Sequence, residues 1–253
     1  GTLKAIFASA YAEGLIERDP TVALIRPRAS KGTGRRALTP EETQRVLETI
    51  RTHPEGLFLA ILYYLGVRRG EALGLKWGDF DFTVDQVHIQ RDIDFTGSTA
   101  VDGTLKTEAA DRFVPIPADL KVMLLPKRES ADAYVFHTPS GAPLPQASYK
   151  RMWSRLMLEC GCVEWRELKP GTSRPDDILK QVKPTLTPHY FRHNYVTLLY
   201  ESGIDPLVAM KIVGHTDYQT TANIYTHLKE ETLRRASVNM ERVFAKRSEQ
   251  DAQ

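Results

Sequence analysis

Residues 214–227, GHTDYQTTANIYTH, combine two histidines and two tyrosines in a stretch that has no apolar stripe. Histidine titrates near neutral pH and can therefore pass protons. Tyrosine can serve as a covalent nucleophile when a base assists the loss of its proton. Gly214 can end a helix and place His215 at a turn, and either Tyr218 or Tyr225 could then be the nucleophile.

Three segments further upstream carry residue types that bind phosphate. LGVRRGEALGLKW places Arg68 at a loop-to-helix junction, where a helix N-terminus adds to the guanidinium, and Glu71 can pair with an arginine and orient it. GTLKTEAADRFVPIP puts Lys106 near the tip of a hairpin. HYFRH places His189 and Arg192 three residues apart on one helix face. Taken singly, each has an ordinary structural explanation, such as a solvated lysine or a buried histidine.

Together, two arginines, a lysine, two histidines and a tyrosine would make a poor core and a good phosphate site. The sequence has no acidic cluster for two-metal chemistry, no His-Glu-x-x-His zinc helix and no Gly-rich nucleotide loop. Phosphoryl transfer without a metal needs fixed cations on the equatorial oxygens, and two guanidiniums can supply them. A tyrosine could then attack, a histidine could assist it and a lysine could protonate the leaving oxygen. We therefore predict no metal and no cofactor.

The order of these segments resembles that of the tyrosine recombinases, the phage-integrase family. The matching pieces are GVRRGEAL, LKTEAADRFVPIP, HYFRH and VGHTDYQTTANIYTH, within residues 36–247. The resemblance implies the catalytic-domain fold of that family. It also implies site-specific cutting and rejoining of DNA through a 3′-phosphotyrosyl intermediate, without metal or ATP, for the integration or excision of mobile DNA.

The resemblance implies which residues bind the scissile phosphate. Arg68 and Arg192 would hold its non-bridging oxygens, and His215 would donate a hydrogen bond to it. Glu71 matches an acidic position that supports the site and does not react.

The resemblance also assigns the nucleophile and the proton transfers. Tyr225 would attack the phosphate, because Tyr218 comes too early to match the tyrosine of the family. His189 would assist proton transfer with Tyr225, and Lys106 would be the general acid for the leaving 5′-oxygen.

Two other functions share parts of this pattern. A type IB topoisomerase uses the same chemistry but would relax supercoils without paired sites. A non-catalytic DNA-binding module of the same fold is the second alternative, and the presence of every catalytic residue type argues against it.

Sequence periodicity predicts a mainly α domain with a small antiparallel β-sheet, an α+β fold. Thr39 and Glu42 form the capping box of one helix, and GLFLAILYYLG is a buried helix that ends at Gly66. Thr187 and Asp205 each precede a proline and are predicted N-caps. The segments DFTVDQVHIQRDIDF and DRFVPIP predict about three strands. Further helices are predicted over residues 2–17, 69–76, 118–125, 146–160, 187–201, 206–213 and 229–247 and after Asp217, and residues 164–184 are predicted to be a surface loop.

The domain organisation follows from a basic linker near the N-terminus. Residues 1–25 would be the last helix of a truncated core-binding domain, 26–36 the linker, and 37–253 the catalytic domain with C-terminal helix 229–247. The segment RPRASKGTGRR contains five basic residues and no acid, so it is either a solvated linker or one that lies along DNA phosphates. Lys31, Arg35 and Arg36 are the candidate DNA contacts.

Composition is that of an ordinary globular protein, with 42% hydrophobic residues, 26% charged residues and a formal net charge of +2. No apolar run approaches the ~18 residues of a membrane span, and the N-terminus does not resemble a secretory signal. Cys160 and Cys162 are too close for an easy bridge and too few for a zinc site. We therefore expect a cytoplasmic, nucleoid-associated protein and no membrane partner. The expected partners are double-stranded recombination sites, further copies of the chain in a tetramer formed through the C-terminal helix, and accessory DNA-bending or excision proteins.

Overall fold

The computed structural model describes residues 2–22, 36–103, 110–166 and 178–214. The chain divides into two compact units, Gly1–Gly34 and Arg35–Gln253. Among the predicted elements, the helix after Asp217, the helix over 229–247 and the linker up to Arg35 lie outside the described residues. No helix in the described part of the chain has both the length and the apolar character needed to cross a bilayer.

The first unit contains helix α1, Thr2–Ala12. The prediction of a helix as far as residue 17 was wrong beyond Ala12. Gly14 has a φ of 72°, in the left-handed region, and its N–H donates to the Tyr11 carbonyl at 3.0 Å. This turn ends the helix because a left-handed residue cannot continue a right-handed one.

In the second unit, helix α2, Pro40–Thr52, begins at the predicted residue, and α3, Gly56–Leu65, has the predicted bounds. The capping box of α2 is confirmed: Thr39 Oγ1 accepts from the Glu42 N–H at 3.2 Å, and the Glu42 carboxylate accepts from the Thr39 N–H at 2.8 Å. Gly66 ends α3 in the left-handed region, as predicted, with a φ of 60°.

Helix α3 lies at the centre of the core because it is apolar on every side. It contacts α2, α5 (Ala118–Leu124) and α8 (Pro188–Glu201). Phe58 on α3 is fully buried and meets the rings of Phe136, Tyr149 and Trp153 edge-on, at centroid distances of 5.1, 5.8 and 6.3 Å. A Cβ at Gly66 would lie 2.2 Å from the ring of Tyr195, so this glycine also allows α8 to approach the end of α3.

The predicted three-stranded antiparallel sheet is present, but its strands differ from the sequence prediction. Its order is β1-β2-β5, and strands β3 and β4 form a separate two-stranded ladder. The run QVHIQRDIDF is therefore two strands. It breaks at Gln90 and Arg91, whose side chains both bind the carboxylate of Asp79. The strands are β1 Phe80–Asp81, β2 Gln86–Ile89, β3 Asp92–Thr96, β4 Thr99–Gly103 and β5 Arg112–Pro115.

The surface-loop prediction for residues 164–184 was wrong in its described part. Strands β6, Val163–Trp165, and β7, Val182–Pro184, pair antiparallel, and the short helix α7, Ile178–Gln181, precedes β7. Val182 is buried in this hairpin, and the burial of one apolar side chain per strand is too weak a signal to show in sequence. Residues 167–177 lie outside the described part.

The remaining helices match the predicted ones to within two residues. Asp205 is a true N-cap, since its Oδ1 accepts from the Leu207 N–H at 2.8 Å. Thr187 occupies the N-cap position before Pro188, but its side chain makes no capping hydrogen bond, so that part of the prediction was wrong. These helices are α4 Arg69–Gly74, α5 Ala118–Leu124, α6 Gln146–Glu159, α8 Pro188–Glu201 and α9 Pro206–Val213.

Candidate active site

The site is built around the carboxylate of Glu71, in the first turn of α4. The Arg68 backbone N–H donates to Glu71 Oε2 at 2.7 Å, and Arg68 Nη1 donates to Oε1 at 2.7 Å. The predicted pairing of Glu71 with an arginine is therefore confirmed. The Glu71 side chain is 1% exposed and that of Arg68 is 38% exposed, so the carboxylate holds a guanidinium that still reaches solvent.

Sequence analysis missed a second arginine on the same carboxylate. Arg112, the first residue of β5, donates from Nη1 to Glu71 Oε1 at 3.1 Å and from Nη2 to Oε2 at 2.9 Å. Its side chain is 5% exposed. One signal could have revealed it: Arg112 alternates with buried Val114 and so occupies the inward face of its strand, where an arginine requires a carboxylate partner.

Arg192 reaches the same cluster from α8. Its Nη1 donates to the Gly66 carbonyl at 3.1 Å and its Nη2 to the Val213 carbonyl at 2.5 Å, while Nη1 lies 3.9 Å from Glu71 Oε2. Arg68 Nη2 donates to the next carbonyl, that of Gly214, at 3.1 Å. The accepting carbonyls are at the C-terminal ends of α3 and α9, where the helix dipoles favour positive charge.

The cluster of Glu71 and its three arginines carries a net positive charge. Burial would raise the pKa of Glu71, but the hydrogen bonds and charge of Arg112, with those of the other arginines, lower it to about 2. Burial, partly offset by Glu71 and reinforced by Arg68 and Arg112, lowers the pKa of Arg192 to about 9, so this side chain stays protonated at neutral pH. Three guanidiniums and one carboxylate leave an excess of two positive charges, which favours an anion.

An open cavity of about 570 Å³ joins residues predicted to bind phosphate. Arg68, His189 and Arg192 all line it, so the structure brings together three residues predicted from two separate segments. The other lining residues are Arg69, Gly70, Asp92, Asp94, Tyr149, Trp153, Pro184, Leu186, Thr187 and Pro188.

The other predicted site residues, Lys106, His215 and Tyr225, lie outside the described residues, as does the rival Tyr218. The structure does describe Gly214, the residue that precedes His215, Tyr218 and Tyr225 in the chain. Gly214 ends α9 with a φ of 71°, as predicted, and its carbonyl accepts from Arg68. His215 is bonded to this carbonyl carbon, so the segment that carries both tyrosines starts at the arginine cluster.

Among the DNA-binding candidates, Lys31 and Arg35 lie outside the described residues and Arg36 is described. Arg36 forms a bidentate ion pair with Glu42, at 2.6 and 2.7 Å, and its guanidinium lies 5.5 Å from the ring centre of Tyr190. Its side chain is 48% exposed, so a phosphate would have to share it with Glu42.

No group of three metal-ligating side chains is found in the part of the chain that the structure describes. The two cysteines form no disulfide and are buried. Burial raises the pKa of Cys160 to about 11, so this thiol is protonated at neutral pH.

Gly70 lets α4 approach β3 closely. A substitution at this residue tests whether that close approach holds α4, and with it Arg68 and Glu71, in place. A Cβ at this residue would lie 1.8 Å from Asp92 Oδ1 and 2.7 Å from the Ile93 carbonyl oxygen. We expect Gly70→Ala to lower the free energy of unfolding by about 1–3 kcal/mol, because backbone must move, measured by chemical denaturation. Gly74→Ala is the comparison on the same helix: a Cβ there would meet Arg91 at 3.2 Å, a tight contact that needs a smaller shift, so we expect a smaller loss of stability. Equal stability of the two variants would contradict this reading of Gly70.

The fold and the site together define an α+β domain with a cavity beside α4 and α8 that is lined by three arginines. The chain belongs to the phage integrase family, whose sequence model matches residues 36–232. The predicted family and the predicted fold class are therefore confirmed.

Named relatives agree with this assignment. The chain is 26% identical to a XerC-like tyrosine recombinase of Caldanaerobacter subterraneus, over 89% of this chain and 60% of that protein. It is 29% identical to the tyrosine recombinase XerD of Halalkalibacterium halodurans, over 88% of this chain and 67% of the relative. The chain thus spans about 60% of the length of the first relative.

Solved structures show the same fold. The integrase of transposon Tn1549, determined with circular intermediate DNA, matches with a TM-score of 0.65 and 19% identity, over 91% of this chain and 78% of the other. The XerA recombinase matches with a TM-score of 0.55 and 24% identity, over 94% and 74%. The family and these relatives favour neither the topoisomerase nor the non-catalytic alternative.

Proposed function

We propose that this chain is the catalytic part of a site-specific DNA recombinase, which cuts and rejoins DNA for the integration or excision of mobile DNA. The observation that carries the proposal is the convergence of Arg68, Arg192 and His189 on one cavity, with Glu71 buried behind the arginines. The solved complex of the Tn1549 integrase with DNA supports a DNA partner.

The arginines would bind the scissile phosphodiester. In the pentacoordinate transition state, the non-bridging oxygens carry the negative charge. Cations that are fixed in advance beside these oxygens therefore stabilise the transition state. Arg192 is held by two backbone carbonyls and Arg68 by Glu71, so neither side chain needs to reorganise during the reaction. His215 would add a hydrogen bond to the same phosphate.

The bond to phosphorus would be exchanged by Tyr225 and Lys106, which lie outside the described residues, with help from His189. The phenol oxygen of Tyr225 would form a bond to phosphorus while the bond from phosphorus to the 5′-oxygen breaks. His189 would assist loss of the phenol proton, and Lys106 would deliver a proton to the 5′-oxygen. Rejoining is the reverse attack by a 5′-hydroxyl. The number of phosphoester bonds is unchanged throughout, so the reaction needs no ATP.

Trapping of the covalent intermediate tests this function. The natural protein in its full length is incubated with a nicked suicide duplex that carries its recombination site, with a chelator present. We expect an adduct joined through the DNA 3′ end and a free 5′-hydroxyl that polynucleotide kinase can label. The absence of any adduct would overturn the proposal, and a requirement for a divalent metal would indicate a nuclease.

We also propose the assembly and location of the active protein. Residues 1–25 would belong to a core-binding domain, and the helix over 229–247 would join copies of the chain into a tetramer on paired sites, aided by accessory DNA-bending or excision proteins. The protein would act in the cytoplasm, at the nucleoid. Sedimentation with and without paired sites would test the assembly, and a monomer in both conditions would contradict it.

The basic linker gives a prediction about salt dependence. If Lys31, Arg35 and Arg36 contact phosphates, alanine at each will weaken binding to all DNA sequences alike. Each lost contact should also reduce the slope of log K against log salt concentration by about 0.9. Arg51→Ala is the matched control, since Arg51 is an exposed arginine paired with Glu48 on α2. An unchanged slope in all three linker variants would refute these contacts.

A further inference from the structure

A third arginine of the cavity has no part in the mechanism above. Arg69 follows Arg68 directly and is the first residue of α4. It is exposed and lines the same cavity as Arg68, His189 and Arg192. The partners that the structure gives it are two aromatic rings: its guanidinium carbon lies 5.1 Å from the ring centre of Phe95 and 5.6 Å from that of Tyr149.

The two rings are fixed by the core. Phe95, on β3, is half-buried, and its ring centre lies 6.2 Å from that of Tyr149. Tyr149, on α6, is buried and contacts the rings of Phe58 and Trp153. An exposed arginine normally loses side-chain freedom when it binds a ligand. Arg69 is already held, so it loses less.

The contacts with Phe95 and Tyr149 leave the N–H donors of Arg69 available. Both are contacts with a ring, and Arg69 makes no hydrogen bond or ion pair with the described residues, so its N–H groups can donate to an oxyanion. Arg68 differs, because Glu71 and the Gly214 carbonyl each take one of its five N–H donors, and the remaining donors are those that would bind the scissile phosphate. Successive residues at the start of a helix diverge by about 100° around its axis, so the two arginines suit different phosphates.

The cavity also has carboxylates close to Arg69. Asp92 and Asp94, both on β3, line the same space, and each has an interaction partner in the structure. Asp92 lies against Gly70 at the start of α4, which places its charge one residue from Arg69. Arg69 adds a positive charge to this side of the cavity, and its ring contacts hold that charge in place.

We propose that Arg69 binds a DNA phosphate that neighbours the scissile one and thereby positions the strand for cleavage. The inference rests on the proposed recombinase function. Arg69 is a positioning residue: it holds DNA and does not touch the reacting atoms. Phe95 and Tyr149 form its support.

The test combines protein variants with substrates in which one phosphate at a time is made neutral as a methylphosphonate. With the natural protein, neutralising one particular neighbour of the scissile phosphate should weaken binding about tenfold, the loss of one charged hydrogen bond. Arg69→Ala should weaken binding to the unmodified site by the same factor. The affinity of Arg69→Ala should not change further when that phosphate is a methylphosphonate. The slope of log K against log salt concentration should fall by about 0.9 in this variant.

Two further variants test the charge of Arg69 and its aromatic support separately. Arg69→Lys keeps the charge and should retain the salt slope of the natural protein. Phe95→Leu removes one supporting ring and should weaken binding in the same direction as Arg69→Ala, to a smaller extent. The matched control is Arg128→Ala, since Arg128 is an exposed arginine with its guanidinium 5.6 Å from the ring centre of Phe82, outside this cavity. It should bind as the natural protein does.

The outcomes distinguish this inference from the function on which it rests. If the natural protein forms the covalent adduct and Arg69→Ala keeps its affinity, salt slope and sensitivity to every methylphosphonate, the inference is overturned and the function stands. A loss of single-turnover cleavage at saturating DNA, with affinity unchanged, would also overturn it, because Arg69 would then act on the reacting atoms. If the natural protein forms no adduct at all, both proposals fall.

Discussion

Tyr225→Phe will form no covalent adduct with a suicide duplex, and Tyr218→Phe will form it at close to the natural rate. Phenylalanine has no phenol oxygen, so the bond to phosphorus cannot form, and we expect the loss of adduct to exceed about a thousandfold. The measurement is the fraction of labelled DNA that comigrates with protein on a denaturing gel. Binding to the uncleaved duplex should be unchanged, because the arginines still hold the phosphate.

The paired tyrosine variants make the assignment decisive. If adduct is lost in Tyr218→Phe and retained in Tyr225→Phe, the nucleophile has been assigned to the wrong tyrosine, although the reaction class is right. If both variants keep the adduct, the nucleophile lies elsewhere. Loss of DNA binding in Tyr225→Phe would show that the residue supports the structure of the site and does not only react.

Glu71→Gln will destabilise the domain and slow adduct formation. The amide leaves Arg68, Arg112 and Arg192 without their common negative charge, and removal of one partner from a buried ion pair destabilises by about 3–5 kcal/mol. We expect the thermal midpoint at pH 7 to fall by on the order of 10 °C. Adduct formation should slow by about tenfold to a hundredfold, because Arg68 loses the contact that orients it.

The pH dependence of this destabilisation gives a separate check. Glu71 has a pKa of about 2 in the folded chain, against an ordinary value of 4.5. Its ionised form therefore stabilises the fold above pH 4.5, and this stabilisation is lost as the pH falls towards 2. The midpoints of the natural protein and of Glu71→Gln should converge over that interval.

A matched control separates this effect from the loss of any carboxylate. Glu164→Gln removes an exposed carboxylate that pairs with Lys183, and it should leave the midpoint at pH 7 unchanged. Equal midpoints of Glu71→Gln and the natural protein at pH 7 would contradict the assigned role of Glu71.

Local features of the fold were predictable because their causes are close in sequence. The capping box of α2 spans Thr39 to Glu42, and Gly66 and Gly214 end their helices by a backbone conformation that suits glycine. The break between β2 and β3 was missed because it depends on Asp79, a residue more than ten positions away. Thr187 occupies the predicted N-cap position, but its side chain makes no hydrogen bond to the helix, which Pro188 begins without it.

The amino-acid sequence by itself determined the order of the motifs and hence the family, because side-chain chemistry and motif spacing are properties of the chain, and it predicts which residues react. Only the tertiary structure decided how Glu71 is used. It joins Arg112, which is 41 residues away, to Arg68, while Arg192 reaches the same cluster by binding the Gly66 carbonyl, 126 residues away. The arginines keep Glu71 ionised although it is buried, and their convergence depends on the packing of α3, α8 and β5, which no local pattern encodes.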